Sequence, residues 1–423
     1  MATVKPFKAT RYQCDNDKLS KVLCPPYDII SPEEKRALLA SDPHNFVRLE
    51  LPEGDDPYKT AKEVLKSWCE SGVLAEDEKD GYYVYEEEFT VKGNTLKIKG
   101  FIAAVQLEEF SKGIVLPHEE TLSKAKEDRL NMMKSTGSNL SLIYSMYSDD
   151  GSIKAIIDGI SSAEPKHTAV TEDGIIHRLW ISTDEELNEK LSRLFDDKKL
   201  YIADGHHRYE TAINYRNYLR EQGIAKPGDL ADDVMMFLID MENEGLVVFP
   251  THRMVRNLES FDAEKILEAL KDEFEIEAHA CRKCLEKALG KACGDERIIG
   301  MYLGNNKFYS LKLKDAHATD SIKDHCDAYK ALDVTALHYL ILERHFAIDK
   351  ANMANQKNLV YTRSFDEAVD SVDSGDFQCS FFVNSTKISQ ISDVALAGDK
   401  MPQKSTYFYP KLTTGLVMRK IIH

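Results

Sequence analysis

Hydrophobic and polar positions alternate with a period of two over residues 82–89 and 96–107, and this spacing predicts two strands. Lys92, Gly93 and Asn94 between them carry the turn chemistry of a hairpin. Upstream, Ser31 stands before Pro32, Glu33 and Glu34. That order predicts a helix over 31–40, with Ser31 as N-cap and Pro32 in the first helical position. A further helix is expected over 58–70, so the first 110 residues read as an α+β region.

From 118 to 133 the apolar spacing becomes helical, with Leu122, Ala125, Leu130 and Met133 on one face. The polar run 134–139 ends that helix, and strands are expected over 140–146 and 175–181. Thr183 and Glu186 have the spacing of a capping box for a helix carrying Leu187, Leu191 and Leu194. Leu200, Tyr201, Ile202 and Ala203 read as a short buried strand, and Tyr209, Ala212, Ile213 and Leu219 as the buried side of a following helix. Residues 234–239 and 246–249 flank 242–245 as a second hairpin. From about 261 onward, helices alternate with strands through 298–303, 308–313 and 377–383. The expected organisation is an N-terminal α+β region (1–110), a central region (111–258) and a C-terminal α+β region with an ordered tail (259–423).

Composition narrows the class. The chain has 423 residues, 43% hydrophobic and 30% charged, which suits a globular protein with sizeable cores. Its formal net charge of −16 argues against nucleic acid as the main partner. No apolar run is long enough to span a bilayer, and Met1 to Pro6 precede no apolar stretch, so neither a membrane segment nor a signal peptide is expected. The cysteines are scattered, which predicts reduced thiols and a cytoplasmic location. His279, Cys281, Cys284 and Cys293 have the residue types of a zinc set, but a second CxxC is lacking. The competing expectation places the cysteines on a helix with Leu285 and Leu289, unpaired and without metal.

The stretch richest in chemistry is Asp204-Gly205-His206-His207-Arg208, between the short strand and the helix. Gly205 permits a tight turn and close approach of a ligand to the backbone. The helix start offers free N–H groups and the positive end of a dipole, which favour an anion. Arg208 adds a planar fork for phosphate oxygens. His206 and His207 donate hydrogen bonds or move a proton near neutral pH. Asp204 orients a histidine or binds Mg²⁺. The plainer alternative is a structural turn in which Asp204 caps the helix.

Residues 201–212, YIADGHHRYETA, resemble the signature of a prokaryotic family known only as domain of unknown function ten-fifteen. Cys24-Pro25-Pro26-Tyr27-Asp28, Pro250-Thr251-His252-Arg253 and the run 401–410, MPQKSTYFYP, match it as well. The Asp204–Arg208 core is also similar to the phosphate-binding box of the ParB/sulfiredoxin-like superfamily, whose free serine kinases bind nucleotide phosphates with such a turn. This resemblance implies a mixed α/β, ParB/sulfiredoxin-like core with additional α+β domains. It also implies ATP or ADP with Mg²⁺ as cofactors, and serine or a similar phosphorylated or hydroxyl metabolite as substrate.

Other segments are candidates for the same site. Glu119 and Glu120 are candidate general bases for a substrate hydroxyl, and Lys124 and Arg129 on the following helix are candidate phosphate ligands. Lys124 and Asp128 share a helix face, which is equally the pattern of a solvated charged surface. His252 and Arg253, after the strand ending at Pro250, and Lys404 in the proline-bounded tail are further candidates. Each has a bland counterpart: a surface loop for the first two, an arm packing its aromatics for the third. Walker A, GxGxxG, HExxH and GxSxG patterns are missing from the sequence. The leading expectation is a small-molecule phosphotransferase. The alternatives are a phosphate-ester hydrolase acting on phosphoserine-like substrates and a nucleotide-sensing regulatory protein without turnover.

Overall fold

The computed structural model describes residues 1–121, 123–292 and 296–422, with the side chains of residues 123–125 and 354 outside the description. The fold is mixed α+β, as expected, and divides into two compact units. One comprises Met1–Pro117, Thr121–Val247 and Pro410–His423; the other comprises His118–Glu120 and Val248–Tyr409. No helix among the described residues is long and apolar enough to cross a membrane.

The first unit is built on strands β1 (Val4–Lys5), β2 (Tyr82–Val91), β3 (Asn94–Gln106), β4 (Val115–Leu116), β5 (Ile143–Tyr147), β6 (His167–Val170), β7 (Ile176–Ser182), β8 (Leu200–Asp204) and β9 (Asp233–Asp240). Among the described residues they form one nine-stranded sheet in the order β4-β8-β5-β9-β3-β2-β7-β6, with β1 added against β3. The β4–β8 and β5–β9 pairs are parallel and the rest antiparallel. The β2–β3 hairpin closes through Lys92 (φ 49) and Gly93 (φ 82), the paired left-handed conformations that match strand twist. Helix α1 (Val47–Glu50), α2 (Pro57–Glu70), α3 (Ser123–Thr136) and α4 (His206–Glu221) belong to this unit. Helix α4 packs Tyr209, Ala212, Ile213 and Leu219 into one core with Leu200, Ile202, Met236 and Leu238 of the sheet. Their 3.6-residue spacing in sequence becomes that buried face.

Several local expectations are corrected. The helix expected from 118 begins at Ser123, and His118–Glu120 belong to the other unit; Leu122 lies outside the described residues. The helix over Glu185–Arg193 is capped by Asp184, whose carboxylate accepts from Leu187 N–H at 3.0 Å, and not by a Thr183–Glu186 box. An aspartate one residue nearer the helix wins the cap. The second hairpin does not form. Both edges of β9 are already paired, with β3 and β5, so 246–249 has no free edge to join. Phe249 N–H donates instead to the Tyr407 carbonyl at 2.8 Å.

The second unit contains β10 (His252–Val255), β11 (Phe274–His279), β12 (Ile298–Tyr302), β13 (Phe308–Leu313), β14 (Leu359–Thr362) and β15 (Cys379–Phe382). They form a six-stranded antiparallel sheet in the order β11-β13-β12-β15-β10-β14. Helix α5 (Arg282–Leu289) lays Leu285 and Leu289 on one side of it, together with Ile298, Tyr302 and Phe308. The tail before Pro410 is packed, with Met401, Ser405 and Phe408 buried and Met401 N–H bound to the His118 carbonyl at 2.8 Å.

Candidate functional site

Helix α4 starts earlier than a five-residue turn would allow. Asp204 ends β8, Gly205 alone makes the turn as N-cap, and His206 is already helical. Gly205 has φ +92, a left-handed conformation that side chains resist. A Cβ there would also stand 3.0 Å from Arg208 Nε. The backbone conformation favours glycine, and a Cβ would in addition press the Arg208 guanidinium outward by a few tenths of an ångström. The N-cap, Gly205, has no side chain with which to cap this helix.

Asp204 does not cap the helix; it organises cations. Arg208 Nη2 donates to Asp204 Oδ2 at 2.7 Å, and Lys411 Nζ donates to Oδ1 at 2.6 Å. Arg208 Nη1 also donates to the Leu142 carbonyl just before β5. Burial alone would raise the Asp204 carboxyl, but Lys411 and Arg208 outweigh it and hold the group well below the usual carboxylate range. Both oxygens of Asp204 accept from protein cations, so this arrangement does not fit a magnesium ligand. No group of three or more His, Cys, Asp or Glu side chains among the described residues is arranged to hold a metal.

A second buried ion pair lies in the same unit. Glu50 at the end of α1 is fully buried, and Arg129 Nη1 of α3 donates to its Oε2 at 3.2 Å. The Arg129 guanidinium also covers the Tyr27 ring at 3.9 Å. Ser141 donates its hydroxyl proton to the other Glu50 oxygen. Burial raises the Glu50 carboxyl above its ordinary value despite the opposing pull of Arg129, Ser141 and Arg208. Burial likewise pushes Tyr27 up to about 12, against the lowering effect of Arg208. A small cleft is lined by Arg129, Ser141, Arg208 and Thr211 together with the apolar Met132, Met133, Leu140, Ile143 and Val234. Thr211 is fully buried, and its hydroxyl has no hydrogen-bond partner among the described residues.

The remaining sequence candidates are distributed as follows. His206 is buried and His207 half-buried. The side chain of Lys124 lies outside the described residues. Glu119, Glu120, His252, Arg253 and Lys404 all belong to the second unit. There Glu119 Oε1 accepts from Thr406 Oγ1 at 3.3 Å, and Glu120 pairs with Lys350 at 2.9 Å. A short strand over Val247–Val248 precedes them, but His252 and Arg253 themselves lie within β10; both are buried, and Arg253 is paired on both sides. Arg253 donates to the carbonyls of Thr251 and Lys404, while the Lys404 side chain is exposed. Burial lowers Arg253 to about 10, and burial lowers His252 to about 4, with Arg253 and Arg282 adding to it.

Sequence reasoning missed Glu50, Ser141, Thr211 and Lys411. Glu50 directly follows the buried Leu49 in a four-residue helix, and nothing in its neighbourhood along the chain singles it out. Lys411 stands 207 positions from Asp204, just past the tail motif that ends at Pro410, and only tertiary folding pairs them.

The family model described as "Protein of unknown function (DUF1015)" matches residues 4–335. Comparison with curated proteins gives no match. Among solved structures, a point mutant of a free serine kinase in complex with AMP has a TM-score of 0.38 at 13% identity, covering 73% of this chain and 89% of that one. A conserved hypothetical protein from Pyrococcus furiosus has a TM-score of 0.32 at 16% identity, covering 70% and 87%. A C-terminally truncated SbnI from Staphylococcus aureus has a TM-score of 0.36 at 10% identity, covering 75% and 87%.

Proposed function

We propose a function for this chain, which belongs to the DUF1015 family: it is a small-molecule phosphotransferase that moves a phosphoryl group from a nucleotide, ATP or ADP, to the hydroxyl of free serine or a similar metabolite. The observation that carries this reading is the pairing of Arg208 and Lys411 on one carboxylate, Asp204, at the start of α4. Phosphoryl transfer asks a protein mainly for positioning and charge neutralisation. Cations already fixed by Asp204 need no rearrangement when phosphate arrives, which is where electrostatic stabilisation is most effective.

In this reading the phosphates meet the N–H groups after Gly205 and the guanidinium of Arg208. Arg129, the second arginine of the cleft, adds charge from α3. Thr211 supplies a hydroxyl to a phosphate oxygen or to the substrate. His206 and His207 clamp phosphate or carry a proton at the start of the helix. The substrate hydroxyl attacks the terminal phosphorus, the P–O bond to the departing nucleotide breaks, and the hydroxyl proton passes to Ser141 Oγ as the Ser141 proton moves to Glu50. A carboxylate whose pKa is raised by burial is a better proton acceptor than an exposed one.

The test is to incubate purified protein with ATP or ADP and serine, with and without magnesium, and to look for phosphoserine by mass spectrometry. The reading predicts nucleotide consumption that depends on serine or a related hydroxyl compound. Phosphate release from phosphoserine without nucleotide would replace it with a hydrolase. Nucleotide binding with no turnover on any hydroxyl metabolite tried would replace it with a sensor.

A further inference from the structure

We propose that Cys281 and Cys284 form a thiol–disulfide switch pair, an exposed dithiol that a low-molecular-weight disulfide oxidises to an intramolecular disulfide. Cys281 is the N-cap of α5 and Cys284 the third residue of its first turn. The Cys284 N–H donates to the Cys281 carbonyl at 3.0 Å, which closes the turn and brings the two side chains to one side. Their sulfurs are 2.8 Å apart, and both residues are exposed. Leu285 and Leu289 anchor the helix in the core beneath, so the pair sits on a fixed platform and not on a loose loop. Arg282 is tied down as well, to Glu286 and Asp366.

A zinc site is a poor competitor on this geometry. Among the described residues no group of three or more His, Cys, Asp or Glu side chains is arranged to hold a metal, and His279 Nε2 lies 2.8 Å from Ser310 Oγ. The pair also differs from the other described cysteines. Burial pushes the thiols of Cys14, Cys24, Cys69, Cys326 and Cys379 up. Contact with the Cys284 thiol, then the Cys284 N–H, draws Cys281 down, while the same contact raises Cys284. Cys281 is therefore the attacking sulfur and Cys284 the resolving one.

The chemistry balances with a disulfide as oxidant. The Cys281 thiolate attacks one sulfur of the small disulfide, forming a mixed disulfide and releasing one thiolate. Cys284, losing its proton, then attacks the Cys281 sulfur and expels the second small thiolate, which takes up that proton. Two protein thiols become one disulfide, and one small disulfide becomes two thiols.

The experiment treats the full chain with oxidised glutathione, traps remaining thiols by alkylation and digests with trypsin. Cleavage after Arg282 and Lys283 falls between the two cysteines, so their disulfide joins two otherwise separate peptides. We expect the joined peptide to appear, and Cys281 to react about tenfold faster than Cys69. In Cys284→Ser, glutathione stays attached to Cys281; in Cys281→Ser, Cys284 remains alkylatable. Both positions are exposed, so thermal unfolding of each variant should match the parent, and the parent experiment stands without them. Absence of the joined peptide, equal reaction of Cys281 and Cys69, or stoichiometric zinc that a chelator must remove before the thiols react would each overturn the proposal.

Discussion

Three arginines follow histidines in this chain, Arg178, Arg208 and Arg253, and the fold treats the last two in opposite ways. Arg208 stands at the start of a helix with a carboxylate on one side and a cleft on the other. Arg253 stands inside a paired strand, fully buried, with backbone carbonyls as hydrogen-bond acceptors. Burial would lower both; Asp204 reverses the effect at Arg208, whereas Arg253 is left well below its ordinary value. A cation held by a carboxylate beside a cleft is fixed in place with donors to spare, as the proposed phosphate site requires. A buried cation held by carbonyls inside a sheet is a structural element. The residue pair His-Arg is thus no guide to function until its element is known.

The largest expected effect breaks the Arg208 arrangement. Asp204→Ala leaves Arg208 and Lys411 without their shared carboxylate, and loss of one partner from a buried pair costs about 3 kcal/mol or more. The Asp204 side chain is 21% exposed, which places the expectation at the low end of that range. Arg253→Met, which removes a charge with no carboxylate to orphan, should cost only about 1 kcal/mol. Urea denaturation of both variants checks this, and equal losses would dissolve the contrast.

Next comes Gly205→Ala. The left-handed backbone and the approach of Arg208 to a Cβ together predict a loss of about 2 kcal/mol, measured in the same way. A neutral result would mean that the turn relaxes and Arg208 is not fixed by it.

The pH dependence sharpens the comparison further. The folded pKa of Asp204 lies below its ordinary value of 3.8. The unfolded state therefore binds the proton first on acidification. The contribution is complete above the ordinary value and is lost as pH falls through it toward the folded pKa. Melting temperatures taken from about pH 6 to about pH 3 should fall more steeply for the parent than for Asp204→Asn. Parallel curves would remove Asp204 from the account.

Much of the fold was legible because it depends on local spacing. Ser31 is the expected N-cap with Pro32 in the first turn, Lys92-Gly93 makes the expected hairpin turn, and Tyr209, Ala212, Ile213 and Leu219 form the expected buried face. Failures came where tertiary pairing decides. The segment 246–249 alternates well enough for a hairpin, yet β9 has no edge to offer. His252 and Arg253 are polar in sequence and buried in the sheet, because an arginine satisfied by carbonyls leaves no mark on a hydropathy pattern. At the site, Gly205 and Arg208 were readable from a strand-to-helix turn. Glu50 and Lys411 were not, since their partners lie tens to hundreds of positions away and neither interrupts the pattern around it.

The central claim is that the Asp204–Arg208 turn receives the phosphates of a nucleotide. Calorimetric titration of ADP or ATP into the parent, Arg208→Ala and Arg208→Lys tests it directly, with Arg253→Met as the comparison. Loss of one charge-assisted contact is worth about 1.5–3 kcal/mol, so Arg208→Ala should bind roughly tenfold or more weakly. Arg208→Lys should recover only part of this, because an ammonium lacks the bidentate fork, and Arg253→Met should bind as the parent does. Absence of heat from the parent with either nucleotide, or an Arg208→Ala variant that binds as tightly as the parent, would contradict the account.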